Sequence, residues 1–204
     1  MEEIIETKPP ETTPSEPPHP KVMLIHLLGS GVLRTPSIIV SEITDEIKAL
    51  ADIMVNTMHH VKGIGLAAPQ VGIPLRLFVM THKGEGRVLR LANPEINNTE
   101  GTQVLDEGCL SQPGLMVKVT RPKYLAVKCL DIDSGGEVIV EGTDLEAAIL
   151  SHEIDHLNAK LICDYLSRLK RDIYKKKLKK KLKQRDRAEA MKDHRDHPHH
   201  VEAK

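Results

Sequence analysis

Two histidines and a glutamate near the end of the chain have the spacing of a hydrolytic metal site. The sequence His152-Glu153-Ile154-Asp155-His156 separates the two imidazoles by four residues. Residues four apart lie on one face of an α-helix, so His152 and His156 can direct ring nitrogens at a single metal ion. Glu153 would lie beside that ion, close enough to accept a proton from a water molecule that the ion activates. The pattern predicts hydrolysis, provided that a third ligand exists.

The residues before this motif predict the helix that its spacing requires. Thr143 and Glu146 are spaced as a capping box, and Leu145 and Ile149 precede His152 at intervals of four and three. A simpler interpretation is open, because two histidines on a buried helix face can be core residues bonded to the backbone. Short matches of this kind also arise by chance. The motif alone therefore does not establish a metal site.

Composition limits the class of protein. The chain has 204 residues, 40% of them apolar, which suits one domain with appendages. It has no Trp and a single phenylalanine, Phe78, so binding by aromatic stacking is disfavoured. The three cysteines, Cys109, Cys129 and Cys163, form no close-spaced pair, which argues against a disulfide framework and favours a reducing compartment.

The first twenty residues differ in composition from the rest of the chain. Their Pro, Glu and Thr content predicts a disordered extension over residues 1–20, and a docking segment is the alternative to a solvated tail. Glu2, Glu3 and Glu6 stand where a signal peptide or a typical transit peptide is basic, and no apolar run approaches bilayer length. The sequence thus favours a cytoplasmic protein over a secreted or membrane-spanning one.

Charge is unevenly distributed although the formal net charge is zero. Residues 168–187 contain twelve Lys or Arg against two Asp, a net of +10, so the remainder carries −10. Leu166, Leu169 and Ile173 continue an apolar stripe, and Leu178 and Leu182 lie among lysines, which predicts a helix that is docked at its start and solvated at its end. Such a segment indicates binding to RNA or another polyanion, with a solvated helix as the alternative. The histidine-containing residues from about 188 onward predict a disordered tail.

The other segments predict an α+β fold. Thr44 opens the strongest helical pattern, which Gly63 closes, and a polar loop is expected between Pro94 and Glu107. Strands are predicted at residues 75–80, 88–92, 116–119, 124–132 and 137–140. We therefore expect mostly antiparallel sheets packed around a central metal-binding helix that carries the histidine pair, with an N-terminal helix and a basic C-terminal helix.

Three motifs, taken in order, resemble the peptide deformylase family. They are the Gly-rich loop ending at Gln70, the segment Glu107-Gly108-Cys109-Leu110-Ser111, and the helix with the histidine pair. The similarity extends over roughly residues 22–170, which separates a catalytic domain at 21–170 from the extension at 1–20 and a basic helix and tail at 171–204. The resemblance implies removal of the formyl group from the formyl-methionine of newly synthesised polypeptides, with release of formate.

The resemblance also implies the metal site. Cys109 becomes the third ligand beside His152 and His156, although a cysteine considered by itself is more often a small buried side chain. Cys129 and Cys163 keep that simpler interpretation. The family typically uses Fe(II), and Zn, Ni or Co can occupy the same ligands.

Catalytic and substrate-binding roles follow from the same resemblance. Glu153 is implied as the base, and the Gln70 amide and the Leu110 backbone N–H as donors to the developing oxyanion. Backbone pairing of an extended substrate is implied along the Gly-rich loop. Helix geometry suggests walls for a methionine pocket, with an ordinary core role as the alternative. The candidate substrate-binding residues are Ile64, Gly65, Gly108, Leu145, Ala148 and Ile149.

Some residues depart from the family pattern. Ser151, Ala159 and Gly31 stand where Gln, Gly and Pro are usual. Glu107 and Arg121 are candidates for a supporting ion pair behind the site, with solvated surface charges as the alternative.

Two other functions remain open at this point. One is a general zinc peptidase, which usually takes its third ligand downstream of the helix. The other is a non-enzymatic module with a structural metal, in which the basic segment binds RNA. The resemblance implies docking to the ribosome surface through the basic C-terminal helix, which is compatible with an enzyme.

Overall fold

The computed structural model describes residues 21–82 and 86–196. The predicted extension at 1–20, the tip of a turn at 83–85 and the end of the predicted tail at 197–204 lie outside the described residues. Within the described residues, three α-helices accompany seven strands in two antiparallel sheets, which confirms the predicted α+β class. None of these helices is both long and apolar enough to cross a membrane.

The larger sheet has five strands in the order β1-β2-β3-β6-β7, and all neighbours are antiparallel. Its strands are β1 Gly65–Ala67, β2 Leu77–Thr81, β3 Val88–Glu100, β6 Tyr124–Asp131 and β7 Glu137–Thr143. The smaller sheet pairs β4 Gln103–Glu107 with β5 Val117–Arg121. The residues of β5 alternate between buried and exposed, as expected for a strand with one face on the core.

Three of these strands correct the sequence prediction. The polar loop expected between Pro94 and Glu107 is wrong, because β3 continues to Glu100 and β4 follows directly. The distal part of β3 is exposed and polar, and its pairing with β6 shifts register twice, so it lacks the regular apolar alternation that a sequence pattern detects. Strand β1 was also missed, since three residues are too few to show a period.

Helix α1, Asp45–His60, packs its buried side chains on β2 in a core cluster that includes Met54, Met58 and Val79. The Thr44 hydroxyl accepts a hydrogen bond from the Ile47 N–H, as the sequence predicts for an N-cap. The helix ends at His60, three residues before Gly63, and Lys62 rather than the glycine takes the left-handed conformation with φ 57°.

Helix α2, Leu145–Leu157, carries the histidine pair and is buried along most of its length. The predicted capping box of Thr143 and Glu146 is wrong. Thr143 ends β7, where it pairs with Tyr124, and Asp144 is the N-cap residue without a side-chain capping bond. The turn is tight because α2 packs directly on β7: a Cβ at Gly142 would lie 2.9 Å from the backbone nitrogen of Ala147.

Helix α3, Arg168–Asp196, is longer than the sequence indicated. It continues past residue 188, where disorder was predicted, so that prediction is wrong as far as Asp196. The proposed domain boundary at residue 170 falls inside this helix. Arg171 anchors its first turns through an ion pair with Asp164, at 3.0 Å.

The docked face of α3 also differs from the prediction. Leu169 is 71% exposed and Ile173 is 45% exposed, whereas Leu178 is 4% exposed. Tyr174 and Leu178 are four residues apart, and the Tyr174 hydroxyl donates to the Pro113 carbonyl at 3.4 Å. The buried stripe is therefore displaced from the one that Leu169 and Ile173 indicated.

The three departures from the family pattern have distinct surroundings. The Ser151 hydroxyl bonds back to the Ala147 carbonyl within α2, at 2.7 Å. Ala159 follows α2 in the left-handed conformation, with φ 58°. Gly31 begins a short 3-10 turn, Gly31–Arg34, and has open space where a Cβ would point. Only the alanine is in a backbone conformation that favours the usual glycine.

Candidate metal centre

Three side chains from two parts of the chain converge beside α2. His152 and His156 lie one turn apart on α2, and Cys109 lies in the loop after β4. Their potential ligand atoms all lie within 4.8 Å of one another. The Cys109 Sγ is 3.2 Å from the His156 Nε2. The structure thus brings together the three residues that the sequence proposed as ligands.

The donor set and its spacing fit a divalent transition-metal ion. Bonds of about 2.3 Å to sulfur and about 2.0–2.1 Å to nitrogen, at tetrahedral angles, place such donors roughly 3.3–3.6 Å apart. The observed spacing of Cys109 and His156 is close to that range. A thiolate with two imidazoles suits Fe, Zn, Co or Ni, and three protein ligands leave a position open for chemistry.

Glu107 orients one of the two imidazoles. Its Oε2 lies 3.1 Å from the His152 Nδ1, so an N–H at Nδ1 donates to the carboxylate and Nε2 is left for a metal. Arg121 donates two hydrogen bonds to the same carboxylate, at 2.7 and 2.9 Å. Burial alone would raise the pKa of Glu107, but the bonds from Arg121 and His152 outweigh it and lower the pKa to about 2. The carboxylate therefore stays charged.

This ion pair extends into a network that the sequence did not reveal. Arg121 is 4% exposed, and its Nη1 also bonds to Asp155 at 2.7 Å and to the Tyr165 hydroxyl at 2.8 Å. Tyr165 donates to Asp155 in turn, at 2.7 Å. Asp155 lies inside the histidine motif, but its position in the sequence does not predict a contact with an arginine on β5. The alternative of solvated charges at Glu107 and Arg121 is excluded.

Glu153 is buried against the backbone of β1. It is 3% exposed, and a Cβ at Gly65 would lie 2.3 Å from its Oε1. Its Oε2 has no hydrogen-bond partner within the part of the chain that the structure describes. Burial raises the pKa of Glu153 to about 7, and the charge of Glu107 acts in the same direction. This carboxyl group can therefore gain and lose a proton near neutrality.

Gln70 presents its amide nitrogen to the ligand loop. The Gln70 Oε1 accepts from the Ala67 N–H at 2.8 Å, which fixes the orientation of the amide. The Nε2 then lies 3.7 Å from the Cys109 Sγ and 3.4 Å from the Ser111 Oγ. Leu110 follows Cys109 directly, so its N–H and the Gln70 amide belong to the same corner of the site. Ser111, fully buried here, was not among the predicted residues.

A cleft of about 580 Å³ opens onto these groups between β1 and β4. Its floor and walls include every predicted catalytic and substrate-binding residue, together with Cys109 and His152. His156 is 1% exposed and lies beneath them. The cleft residues that the sequence did not single out as site residues are Lys62, Gly63, Leu105, Asp106 and Pro113. They come from segments whose contact with the site depends on how the two sheets meet.

Comparison with known proteins agrees with this geometry. The family model described as polypeptide deformylase matches residues 22–172. The chain belongs to the peptide deformylase family. The matched range is nearly the one expected from the sequence motifs, residues 22–170.

The alignments with relatives and with solved structures include nearly the full length of those proteins. A peptide deformylase from Bartonella tribocorum is 42% identical over 170 residues, which is 80% of this chain and 95% of the relative. A peptide deformylase from Legionella pneumophila has a TM-score of 0.76 at 38% identity, covering 81% of this chain and 98% of that one. The structure of an Ehrlichia chaffeensis peptide deformylase in complex with actinonin has a TM-score of 0.75 at 37% identity, covering 79% and 98%.

Family membership establishes the reaction. As a peptide deformylase, the chain is a metal-dependent hydrolase that removes the formyl group from the N-terminal methionine of newly made polypeptides. The two alternative functions, a general zinc peptidase and a non-enzymatic module, are therefore set aside.

Proposed function

We propose that this peptide deformylase holds one divalent ion, preferably Fe(II), on Cys109, His152 and His156, with Zn, Ni or Co as substitutes. When bound, such an ion supplies Lewis acidity and lowers the pKa of water. The sulfur of Cys109 and the imidazoles of His152 and His156 support this assignment by their convergence. The bond from His152 to Glu107 supports it further, because a ligand imidazole commonly donates its second N–H to a carboxylate.

Glu153 acts as the proton carrier of the reaction in this proposal. It accepts a proton from the attacking water and later delivers a proton to the departing amine. Two features support this role: a pKa raised to about 7, and an Oε2 that faces no protein donor in the described residues. A carboxyl group in this state is effective as base and then as acid near neutral pH.

Gln70 and Leu110 stabilise the charge that develops on the formyl oxygen. The Gln70 amide is held by Ala67 before any substrate binds, so it costs no reorganisation during the reaction. The Leu110 N–H has no protein acceptor among the described residues, which leaves it available for the oxyanion. Loss of one such donor generally costs about 2.7–4 kcal/mol of transition-state stabilisation.

The substrate lies along the free edge of β1 in an extended conformation. Among the described residues β1 pairs with β2 on one side only, so the backbone groups at Ile64 and Gly65 that do not bond to β2 can pair with a peptide. Gly108 faces the same cleft. Leu145, Ala148 and Ile149 form an apolar wall of that cleft one and two turns before His152, as a methionine side chain requires.

The buried Glu153 carboxyl beside three convergent donors is the observation on which these roles depend. Anaerobically prepared, iron-loaded protein should release formate from formyl-Met-Ala-Ser. Glu153→Ala should lose about 10²–10⁴-fold in kcat while keeping its metal content. A variant that keeps wild-type activity would remove Glu153 from the mechanism. One that loses its metal would make Glu153 a ligand instead of a base.

We further propose that α3 docks on the ribosome surface and so brings the enzyme to emerging chains. The exposed Lys176, Lys177, Lys180 and Lys181 support this, since a solvated basic helix is suited to a polyanion. Changing these four to Gln should weaken ribosome binding and reduce the slope of log K against log salt by about 3. Activity on a free formyl-peptide should not change. An unaltered salt slope would reject this surface.

The cytosol stays the predicted compartment.

A further inference from the structure

A second groove, of about 700 Å³, lies between α3 and the segment at residues 28–34. Leu28, Leu178 and Leu182 supply its apolar surface. Lys175, Lys179 and Lys183 line it as well, and these three are called the groove lysines below. No residue of this groove lines the cleft at the metal centre. The groove is thus a separate site in which apolar surface is bordered by positive charge.

The groove lysines form a regular row along α3. They are four residues apart, so they lie on one face of α3 at intervals of about 6 Å along its axis. Among the side chains that the structure describes, no carboxylate lies within ion-pair distance of them. Arg34, which also lines the groove, is by contrast bonded to Asp164. Among the described side chains, the cations of the groove that lack an ion-pair partner are therefore the three lysines.

We propose that residues 2–6 of the same chain, Glu2-Glu3-Ile4-Ile5-Glu6, occupy this groove. The two isoleucines match the apolar surface of Leu28, Leu178 and Leu182. The three glutamates equal the three groove lysines in number and carry the opposite charge. The acidic N-terminal segment is then an internal ligand of the basic helix, independent of the deformylation chemistry.

The length of chain before Lys21 permits this contact. Leu28 is seven residues from Lys21, so the two lie within about 25 Å of each other. Fourteen residues separate Glu6 from Lys21, and a chain of that length spans up to about 50 Å. A domain of 150 residues is only about 40 Å across. A tethered segment within reach has an effective concentration on the order of millimolar, so modest complementarity is enough for docking.

The apolar surface of the groove decides against a nucleic acid as its occupant. A phosphate backbone binds solvated cations and gains nothing from leucine side chains. Lys176, Lys177, Lys180 and Lys181 do not line the groove and stay accessible to a polyanion when the segment is docked. The groove and the outward lysines are thus separable surfaces of one helix.

Carbodiimide cross-linking of the dilute full-length protein tests the proposal, because it joins only carboxylates and amines that are in contact. We expect cross-links from Glu2, Glu3 or Glu6 to the groove lysines, identified by mass spectrometry. The ion pair of Lys128 with Glu137, at 2.7 Å, is the internal positive control. Detection of that pair without any link from residues 2–6 to the groove lysines would overturn the proposal.

Two double variants separate specific docking from general attraction of an acidic segment. Ile4→Ser with Ile5→Ser should reduce the cross-links about tenfold or more, because the apolar part of the contact is lost while every charge remains. Glu11→Gln with Glu16→Gln removes two charges outside residues 2–6 and should leave the cross-links unchanged. The reverse pattern would show that charge alone attracts the segment, and would overturn the proposal.

A mixture of isotopically light and heavy protein distinguishes the source of the segment. Cross-links within one chain, independent of concentration, support the proposal. Links mainly between light and heavy chains would assign the groove to a second copy and overturn it. A short RNA that binds the groove lysines equally well in the wild type and in the Ile4→Ser, Ile5→Ser variant would also overturn the proposal. Deformylation of a free peptide by both variants verifies that they are folded.

Discussion

Arg121 at the metal centre and the groove lysines on α3 show two ways in which this chain uses positive charge. Arg121 is 4% exposed and bonded to two carboxylates and a tyrosine. The groove lysines are exposed, and no carboxylate among the described side chains lies within ion-pair distance of them. Around Arg121 each charge is fixed by partners in a low dielectric, so single changes are costly. On α3 each charge is solvated, so a single lysine contributes little binding energy by itself, and only the lysines together provide a substantial interaction.

The contrast predicts that small steric changes at the centre are far more damaging than the same changes beside α3. Gly65→Ala would place a Cβ 2.3 Å from the Glu153 Oε1, so the carboxyl group must move. We expect kcat for deformylation to fall about 100-fold, since displacement of a catalytic group by about 1 Å has that effect. Gly31→Ala, beside α3, has open space for its Cβ and should retain full activity.

Steady-state assays on both glycine variants, with metal content measured in parallel, check this comparison. Equal activities of the Gly65→Ala and wild-type proteins would show that Glu153 has more freedom than its buried position indicates. Equal losses in both variants would remove the contrast between the two regions.

The second prediction concerns the support of His152. Glu107→Gln should weaken metal binding about 10- to 100-fold, because the amide orients the imidazole less firmly and leaves Arg121 with one fewer carboxylate. Competition with a chelator measures this change. Glu137→Gln removes the partner of an exposed lysine in the larger sheet and is the matched control. If both variants bind metal as tightly as the wild type, the network behind the site has no role in ligation.

Local sequence patterns predicted the residues that form the site better than the residues that hold them in place. The four-residue spacing of His152 and His156 and the N-cap at Thr44 are features of one helix each, and the structure agrees with both. Cys109 was placed with them through the resemblance to a family. Asp155 and Tyr165 were missed because their contact with Arg121 depends on how a strand and a helix meet. No period in the sequence encodes that contact.

The fold shows the same limit. Apolar runs and apolar alternation located β2, β5, β6 and β7, but the exposed half of β3 and all of β4 are too polar for these signals. On α3 the composition predicted a basic helix, yet the docked face followed Leu178 and not Ile173. Which face of a helix becomes buried depends on the surface against which the helix packs. The residue pattern of the helix alone carries no information about that surface.

A third prediction moves to the anchor of α3. Asp164 bonds to Arg34 and, at 3.0 Å, to Arg171. Burial raises its pKa, but these arginines and the Leu161 N–H outweigh burial and hold the pKa below its usual value. Asp164→Asn should lower the free energy of unfolding by only about 1 kcal/mol, since this site is partly exposed and screened. Deformylation of a free peptide should not change.

The pH dependence of that loss has a definite sign. A carboxylate with a lowered folded pKa stabilises the fold above its unfolded pKa, about 3.8, and the benefit disappears as the pH falls through the lower folded value. Denaturant unfolding should therefore show the full difference between wild type and Asp164→Asn near neutrality, and a shrinking one below about pH 4. A difference that persists at low pH would show that the contribution is not due to the charge.

The smallest predicted effect lies where the two regions join. Ala159 follows α2 with φ 58°, and its carbonyl accepts a bond from Arg34 at 3.2 Å. The left-handed conformation costs an alanine about 1–2 kcal/mol, while glycine loses about 0.4–1 kcal/mol more backbone entropy on folding. Ala159→Gly should thus stabilise by about 0.5 kcal/mol and raise Tm by about 1–2 °C. Ala51→Gly, inside α1, should instead destabilise by about 1 kcal/mol. Calorimetry that gave both variants the same sign would mean that backbone strain at Ala159 is relieved elsewhere.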